Sequence, residues 1–162
     1  MSRIEHVGVI GGGVMGVGIA EVVARSGHTT TVVEVSPEAA KRAQGRIEAS
    51  LRRAQSRGKI SEELADATLS RLSFQTDTDS VAGCGLVIEA VAENEAVKLD
   101  VFRTLGRMLE RDDALLVSNT SSIPIVKLGA VSGRPAQVMG VHFFNPAPVM
   151  RLVELIPSLT TS

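Results

Sequence analysis

Short apolar runs rich in β-branched residues alternate along the chain with longer stretches in which apolar residues recur every three or four positions. This alternation is the pattern of a parallel sheet joined by crossover helices. Seven strands are predicted, at Val7–Ile10, Thr30–Val35, Leu72–Gln75, Leu86–Ala90, Leu115–Ser118, Gln137–His142 and Leu152–Ile156. The central ones are continuously hydrophobic, as when both faces of a sheet are covered. Helix starts are marked as clearly. Ser36-Pro37-Glu38 supplies a cap residue, a proline at the first helical position and an acid in the first turn. From there Ala43, Ile47, Leu51 and Ala54 recur at helical spacing and form the core-facing stripe. A second helix, about Ser61 to Leu72, opens with Glu62 and Glu63, and Gly58 divides the two. The pair exceeds what a crossover needs and predicts an extra helical hairpin on one side of the sheet. Further helices are predicted at Glu95–Glu110 and from Pro124 through Val131.

Composition narrows the function classes. The chain has 162 residues, with 17 basic against 18 acidic side chains and a net charge of −1. That balance gives no bulk attraction to nucleic acid or to an anionic membrane. The single cysteine, Cys84, excludes an intramolecular disulfide and makes a reducing cytoplasm the simplest compartment. No apolar run approaches the roughly 20 residues that span a bilayer. Met1-Ser2-Arg3-Ile4-Glu5 leads directly into the first strand, so no signal peptide is expected. No repeat or second core is visible, residues 1–162 are expected to form one domain, and no metal site is expected.

Gly11-Gly12-Gly13-Val14-Met15-Gly16 contains the pattern G-x-G-x-x-G directly between the first predicted strand and a helix. In that setting Gly11 allows the tight turn, Gly13 the close approach of backbone to a pyrophosphate, and Gly16 the close packing of helix on strand. Val14 and Met15 open the helix whose free N–H groups and positive dipole end face the phosphates. An acid that accepts hydrogen bonds from the adenosine ribose is expected about 20 residues further on. Glu34 lies 18 residues after Gly16, and its charge disfavours a 2′-phosphate, so NAD is the expected cofactor. The whole is an α/β, Rossmann-type doubly wound, mostly parallel sheet with the added helical hairpin.

Ligands of open α/β sheets bind beyond the carboxyl ends of the strands. Glu93 and Asn94 follow the fourth strand, Asn119-Thr120-Ser121-Ser122 the fifth, and His142 ends the sixth. Each has an ordinary structural explanation: Ser121 or Ser122 as a cap for the helix near Pro124, Asn119 as a turn former. As a group they lie on the cofactor side. Glu154 falls in the next strand after the Phe143–Pro148 turn, where it either meets His142 or faces solvent. If they meet, the carboxylate fixes the histidine tautomer and stabilises the imidazolium formed on accepting a proton.

Gly11–Gly16 with Glu34, the segment Val87–Asn94 with Lys98, Ser118–Ser122, and His142-Phe143-Phe144-Asn145-Pro146 followed by Met150 and Leu152-Val153-Glu154 together resemble the 3-hydroxyacyl-CoA dehydrogenase family, over essentially the whole chain. The histidine turn with its glutamate is the most specific part. The resemblance implies reversible NAD-dependent oxidation of an L-3-hydroxyacyl-CoA to the 3-ketoacyl-CoA. It implies that His142 is the general base, that Glu154 orients it, and that Ser121 holds the substrate oxygen near the nicotinamide. It further implies that Glu93, Lys98, Asn119 and Asn145 help place the cofactor, and that Ser50 and Arg57 touch coenzyme A, with arginine standing where lysine is usual. Family members continue into a helical second domain that carries the dimer interface and closes the cleft. The 162 residues end shortly after Glu154, so weak or no catalysis is expected of this chain by itself. The same chemistry on an acyl carrier protein, as in relatives from secondary metabolism, and a stand-alone NAD-binding module are the alternatives. A free-acid 3-hydroxyacid dehydrogenase ranks below both, since such relatives use lysine in place of a His–Glu pair.

Overall fold

The computed structural model describes residues 4–162; the Met1–Arg3 part of the leader reading lies outside the described residues. Strands β1 (His6–Ile10), β2 (Thr29–Val33), β3 (Leu72–Gln75), β4 (Leu86–Glu89), β5 (Leu115–Ser118), β6 (Val138–Phe143) and β7 (Val153–Pro157) form one sheet in the order 3-2-1-4-5-6-7. All neighbours are parallel except β6 and β7, which run antiparallel. The first six strands have the order of the dinucleotide-binding fold, with the topological switch between β1 and β4.

Each face is covered. Helices α1 (Val14–Arg25), α2 (Pro37–Ser56) and α3 (Glu62–Ser70) pack on one side, where Val7, Val9, Ile19, Val32, Ile47 and Leu51 form a core. On the other side α4 (Glu95–Met108) and α5 (Ile125–Ser132) bury Val87, Phe102, Leu105, Leu116, Leu128 and Val138. Full burial of each such side chain contributes roughly 1.5–3 kcal/mol. Ile47 and Leu51, of the stripe read from the sequence, are each only 1% exposed, which fixes α2 against α1.

Caps set the helix starts. Ser36 Oγ accepts the Ala39 N–H at 3.2 Å, Ser61 Oγ accepts that of Leu64 at 3.2 Å, and Asn94 Oδ1 accepts that of Val97 at 3.1 Å. Gly58, at φ 65°, turns the chain between α2 and α3, as the hairpin reading expected. Neither Ser121 nor Ser122 takes up the alternative of capping α5: Pro124 stands at its start without a side-chain cap, because both serines are engaged elsewhere. At the far edge all five residues of β7 are exposed.

Candidate active site

The crevice lies at the carboxyl ends of β1 and β4. Gly11, at φ 95°, turns the chain so closely over β4 that a β-carbon there would stand 2.9 Å from the Ala90 carbonyl oxygen. A β-carbon on Gly16 would lie 1.8 Å from the Gly11 carbonyl oxygen, so only glycine lets α1 leave the turn at this angle. At Gly13 a β-carbon would meet nothing within 4 Å. That open face fronts the start of α1, whose first turn holds no acidic residue. The opening N–H groups of a helix have no partner within it and attract an anion. Val14 is exposed at the rim, while Met15 is half-buried against the core.

A cleft of about 500 Å³ runs from this turn between Val33, Glu34, Ala90 and Val91. Glu34 is held in place: its Oε1 accepts the Gly12 N–H at 2.6 Å and its Oε2 the Val35 N–H at 3.2 Å. Each oxygen keeps a lone pair for a sugar hydroxyl. Apolar walls for a base, a fixed carboxylate for a ribose and an acid-free helix start for a pyrophosphate fit a dinucleotide such as NAD.

At the neighbouring strand ends, β6 and β7 are registered with His142 opposite Glu154. Glu154 Oε2 lies 3.0 Å from His142 Nδ1, and Ser121 Oγ lies 3.1 Å from Nε2. The sequence left open whether the pair meets; it does. A carboxylate at Nδ1 selects the tautomer protonated there and leaves Nε2 as an acceptor. Phe144 packs edge-on against the imidazole at 4.8 Å between ring centres and further limits its orientation.

Ser121 is positioned in turn by Glu93. Oε1 of Glu93 accepts the Thr120 hydroxyl, the Ser121 N–H at 3.2 Å and the Ser122 hydroxyl at 3.0 Å. Burial raises the Glu93 carboxyl, but the hydroxyls of Thr120 and Ser122 and the charge of Lys98 outweigh it, and the group is held below the usual carboxylate range. Thr120 in turn accepts the N–H groups of Ser122 and Ile123 at 3.3 and 3.0 Å. These bonds explain why neither serine caps α5. Asn119 reaches across to β6, where its Oδ1 accepts the Phe143 N–H at 2.8 Å. Lys98 differs from expectation: it is 1% exposed, and its ammonium lies on Glu89 at 2.6 Å and Glu93 at 3.4 Å, beneath the cleft rather than in it. Its bearing on the site runs through Glu93.

Asn145 lines a hollow of about 130 Å³ with Val14, Gly18, Glu21, Arg46 and Ser50. Through Glu21 and Ser50 this hollow joins a groove of about 550 Å³. Arg57 lines this groove, and Arg25, Arg53, Lys59 and Arg151 converge there with it. Helical spacing relates Arg53 to Arg57, whereas Arg25 and Arg151 arrive from α1 and from the β6–β7 connection. Burial pushes the Glu21 carboxyl above its usual range, partly offset by the Ser50 hydroxyl and by Arg25 at 3.6 Å.

A hydroxyl, an imidazole and a carboxylate in line also occur in acyl-transfer enzymes. Here the Ser121 N–H, which would help hold an oxyanion, donates to Glu93. A carboxylate at that point opposes a second negative charge and favours proton transfer over nucleophilic attack. Among the described residues no group of three His, Cys, Asp or Glu side chains could hold a metal ion, and no helix is long and apolar enough to cross a membrane.

Comparison with known proteins agrees with this geometry. Residues 6–162 match the family model described as "3-hydroxyacyl-CoA dehydrogenase, NAD binding domain". The chain is 49% identical over 158 residues to a 3-hydroxybutyryl-CoA dehydrogenase of Mycobacterium tuberculosis, covering 98% of this chain and 55% of that protein. It is 44% identical to the 3-hydroxyadipyl-CoA dehydrogenase of Escherichia coli K12, covering 100% of this chain and 34% of that protein. The crystal structure of M. tuberculosis FadB2 superposes with a TM-score of 0.97 at 48% identity, over 99% of this chain and 56% of that one. The chain thus spans about half the length of the curated relatives it matches first. The family match over residues 6–162 shows that the chain belongs to the NAD-binding domain family of the 3-hydroxyacyl-CoA dehydrogenases.

Proposed function

We propose that the protein containing this chain oxidises an L-3-hydroxyacyl thioester of coenzyme A to the 3-ketoacyl thioester, and reverses that reaction, in fatty-acid or short-chain acyl metabolism of the cytoplasm. Residues 1–162 act as its single nucleotide-binding domain. The observation that carries this reading is the line Ser121–His142–Glu154 at the strand ends next to the glycine turn. NAD, when bound, supplies the acceptor for the hydride that leaves C3 of the substrate.

The remaining work falls to this chain. The glycine turn and the first N–H groups of α1 hold the pyrophosphate, and Glu34 holds the adenosine ribose. Nε2 of His142 takes the proton of the 3-hydroxyl, Ser121 Oγ hydrogen-bonds the same oxygen, and Glu154 stabilises the imidazolium. Glu93 and Asn119 keep the two loops in place, and Asn145 borders the passage toward the basic groove. Arg25, Arg53, Arg57, Lys59 and Arg151 supply charge for the phosphates of coenzyme A, with Ser50 at the groove's inner end. Closure of the cleft and dimerisation belong to the part of the protein that the family's helical domain represents.

The test is reduction of acetoacetyl-CoA, followed by loss of NADH absorbance, in the whole protein. His142→Gln is expected to lower kcat/KM by roughly 10²–10⁴-fold, the usual contribution of a positioned general base. NADH binding by the chain is measured by calorimetry alongside. NADH binding together with an unchanged His142→Gln rate would leave a non-catalytic dinucleotide module as the reading. Turnover of carrier-protein thioesters alone would move the substrate to an acyl carrier protein and remove the coenzyme A roles of Ser50 and Arg57. Absence of NADH binding at millimolar concentration sinks the proposal.

A further inference from the structure

Beneath the two loops that carry the site lies a group of polar side chains that never reach the cleft. Glu89 ends β4 with its side chain 0% exposed. Its Oε1 accepts the Lys98 ammonium at 2.6 Å and the Val91 N–H at 2.7 Å, and its Oε2 accepts the Ser118 hydroxyl at 2.5 Å. Ser118 Oγ accepts the Thr120 N–H at 3.2 Å. Lys98 shares its ammonium among Glu89, the Val91 carbonyl at 3.4 Å and Oε2 of Glu93 at 3.4 Å. Glu89 therefore touches both loops, that of β4 through Val91 and Lys98, and that of β5 through Ser118 and Thr120. A desolvated ion pair is a poor source of stability, since an apolar pair of similar volume usually serves as well. Its presence here calls for a part in fixing geometry.

We propose that Glu89 is a positioning residue of this site: it keeps the Lys98 ammonium from drawing Glu93 inward, and so holds Glu93 on the Thr120–Ser122 turn and Ser121 against His142. The proposal rests on the reading above that Ser121 and His142 face the substrate oxygen. The ammonium stands between two carboxylates and closer to Glu89. Attraction falls with distance, and the Glu93 side chain, 43% exposed, is the more screened of the two carboxylates. With Glu89 neutralised, Glu93 becomes the remaining anionic partner of the ammonium and moves toward it. Oε1 of Glu93 then leaves the Ser121 N–H and the Ser122 hydroxyl, and Ser121 loses the bond that aims it.

Glu89→Gln tests this, because it keeps the shape and removes the charge. Two readouts are taken on the chain: the amide resonances of Ser121 and Ser122 with the ring nitrogens of His142, and the NADH dissociation constant by fluorescence. The variant is expected to move those resonances and to weaken NADH by about tenfold, the weight of one misplaced hydrogen bond. Adding Lys98→Met to Glu89→Gln is expected to bring both readouts back toward the parent, since nothing then pulls Glu93 inward. A merely structural role predicts the opposite, because the double variant loses more packing than the single one. Unchanged resonances in Glu89→Gln, or a double variant no nearer the parent than the single, overturns the proposal. If Glu89→Gln does not fold, Ser118→Ala takes its place: it cuts the β5 side of the network and is expected to shift the same resonances, and their constancy overturns the proposal too. If the parent chain binds no NADH, the dinucleotide reading fails while the resonances still decide the part played by Glu89.

Discussion

Gly13→Ala separates the demands of the fold from those of the cofactor. Gly13 sits at φ −66° and ψ −170°, a conformation alanine adopts without strain, and its added methyl meets no atom within 4 Å. Restricting the unfolded chain at such a position stabilises by about 0.4–1 kcal/mol, which in a domain of this size raises Tm by about 1–4 °C. On the proposed function, the space the methyl fills is where the pyrophosphate would lie. Crowding of that kind costs about 1–3 kcal/mol, or roughly a 5- to 150-fold rise in the NADH dissociation constant. Thermal melting by circular dichroism gives the first quantity and NADH fluorescence titration the second. Gly16→Ala is the contrast, because its methyl would lie 1.8 Å from the Gly11 carbonyl oxygen and must unseat α1 from β1. The reasoning is refuted if Gly13→Ala binds NADH like the parent, or if Gly16→Ala melts as high as Gly13→Ala.

Three further predictions concern the interior. Lys98→Met leaves the buried Glu89 carboxylate without its cation and is expected to cost about 3–5 kcal/mol, seen as a lower urea midpoint, with Glu89→Leu added in the same chain restoring most of it. For Glu21 burial holds the folded carboxyl above its unfolded value, so its contribution to stability is intact below the unfolded pKa and is lost as pH rises through the folded one. Glu21→Gln should accordingly gain in Tm over the parent at pH 7.5 relative to the same comparison at pH 4; an equal difference at both pH values contradicts the burial argument. Cys84 is fully buried and its thiol is pushed up to about 11, leaving about one thiolate in a thousand at pH 8. Its reaction with a disulfide reagent should therefore follow unfolding in rising urea, and rapid stoichiometric labelling of the native chain would contradict this.

The sheet was legible because its strands announce themselves twice, by β-branched composition and by the caps that follow. Ser36, Ser61 and Asn94 each start a helix where local chemistry says one should start. Strand ends differ by a residue or two: Thr30–Val35 was read for Thr29–Val33, since hydrophobicity continues into Val35, which is 95% exposed beyond the ladder. The local geometry of the glycine motif was equally legible, with Gly13 opening α1 and Glu34 held on the Gly12 N–H at the end of β2. Residues whose role depends on a distant partner were not. Capping stayed open for Ser121 and Ser122 beside a site role, because Glu93, nearly thirty positions earlier, cannot be seen competing for them. Lys98 was given a part in placing the cofactor by the family resemblance, and nothing in its neighbourhood reveals that its ammonium is buried on Glu89. Arg151 joins Arg57 in one groove through the turn after β6, whose path hydrophobic periodicity does not encode.

The opposition of His142 and Glu154 across an antiparallel ladder makes the pair a matter of counting. The positions flanking Glu154 are Leu152, Val153, Leu155 and Ile156, all apolar. A slip of β7 by one or two residues in either direction therefore sets a hydrocarbon opposite the imidazole, and a slip of one also turns the acid to the other face. There is no partly aligned version of this dyad. In any sample with mixed strand alignment, only the correctly indexed molecules hold the imidazole–carboxylate contact. The connection between the two strands is bound as well, since Phe144 packs on the imidazole and Asn145 and Arg151 line the hollow and the groove.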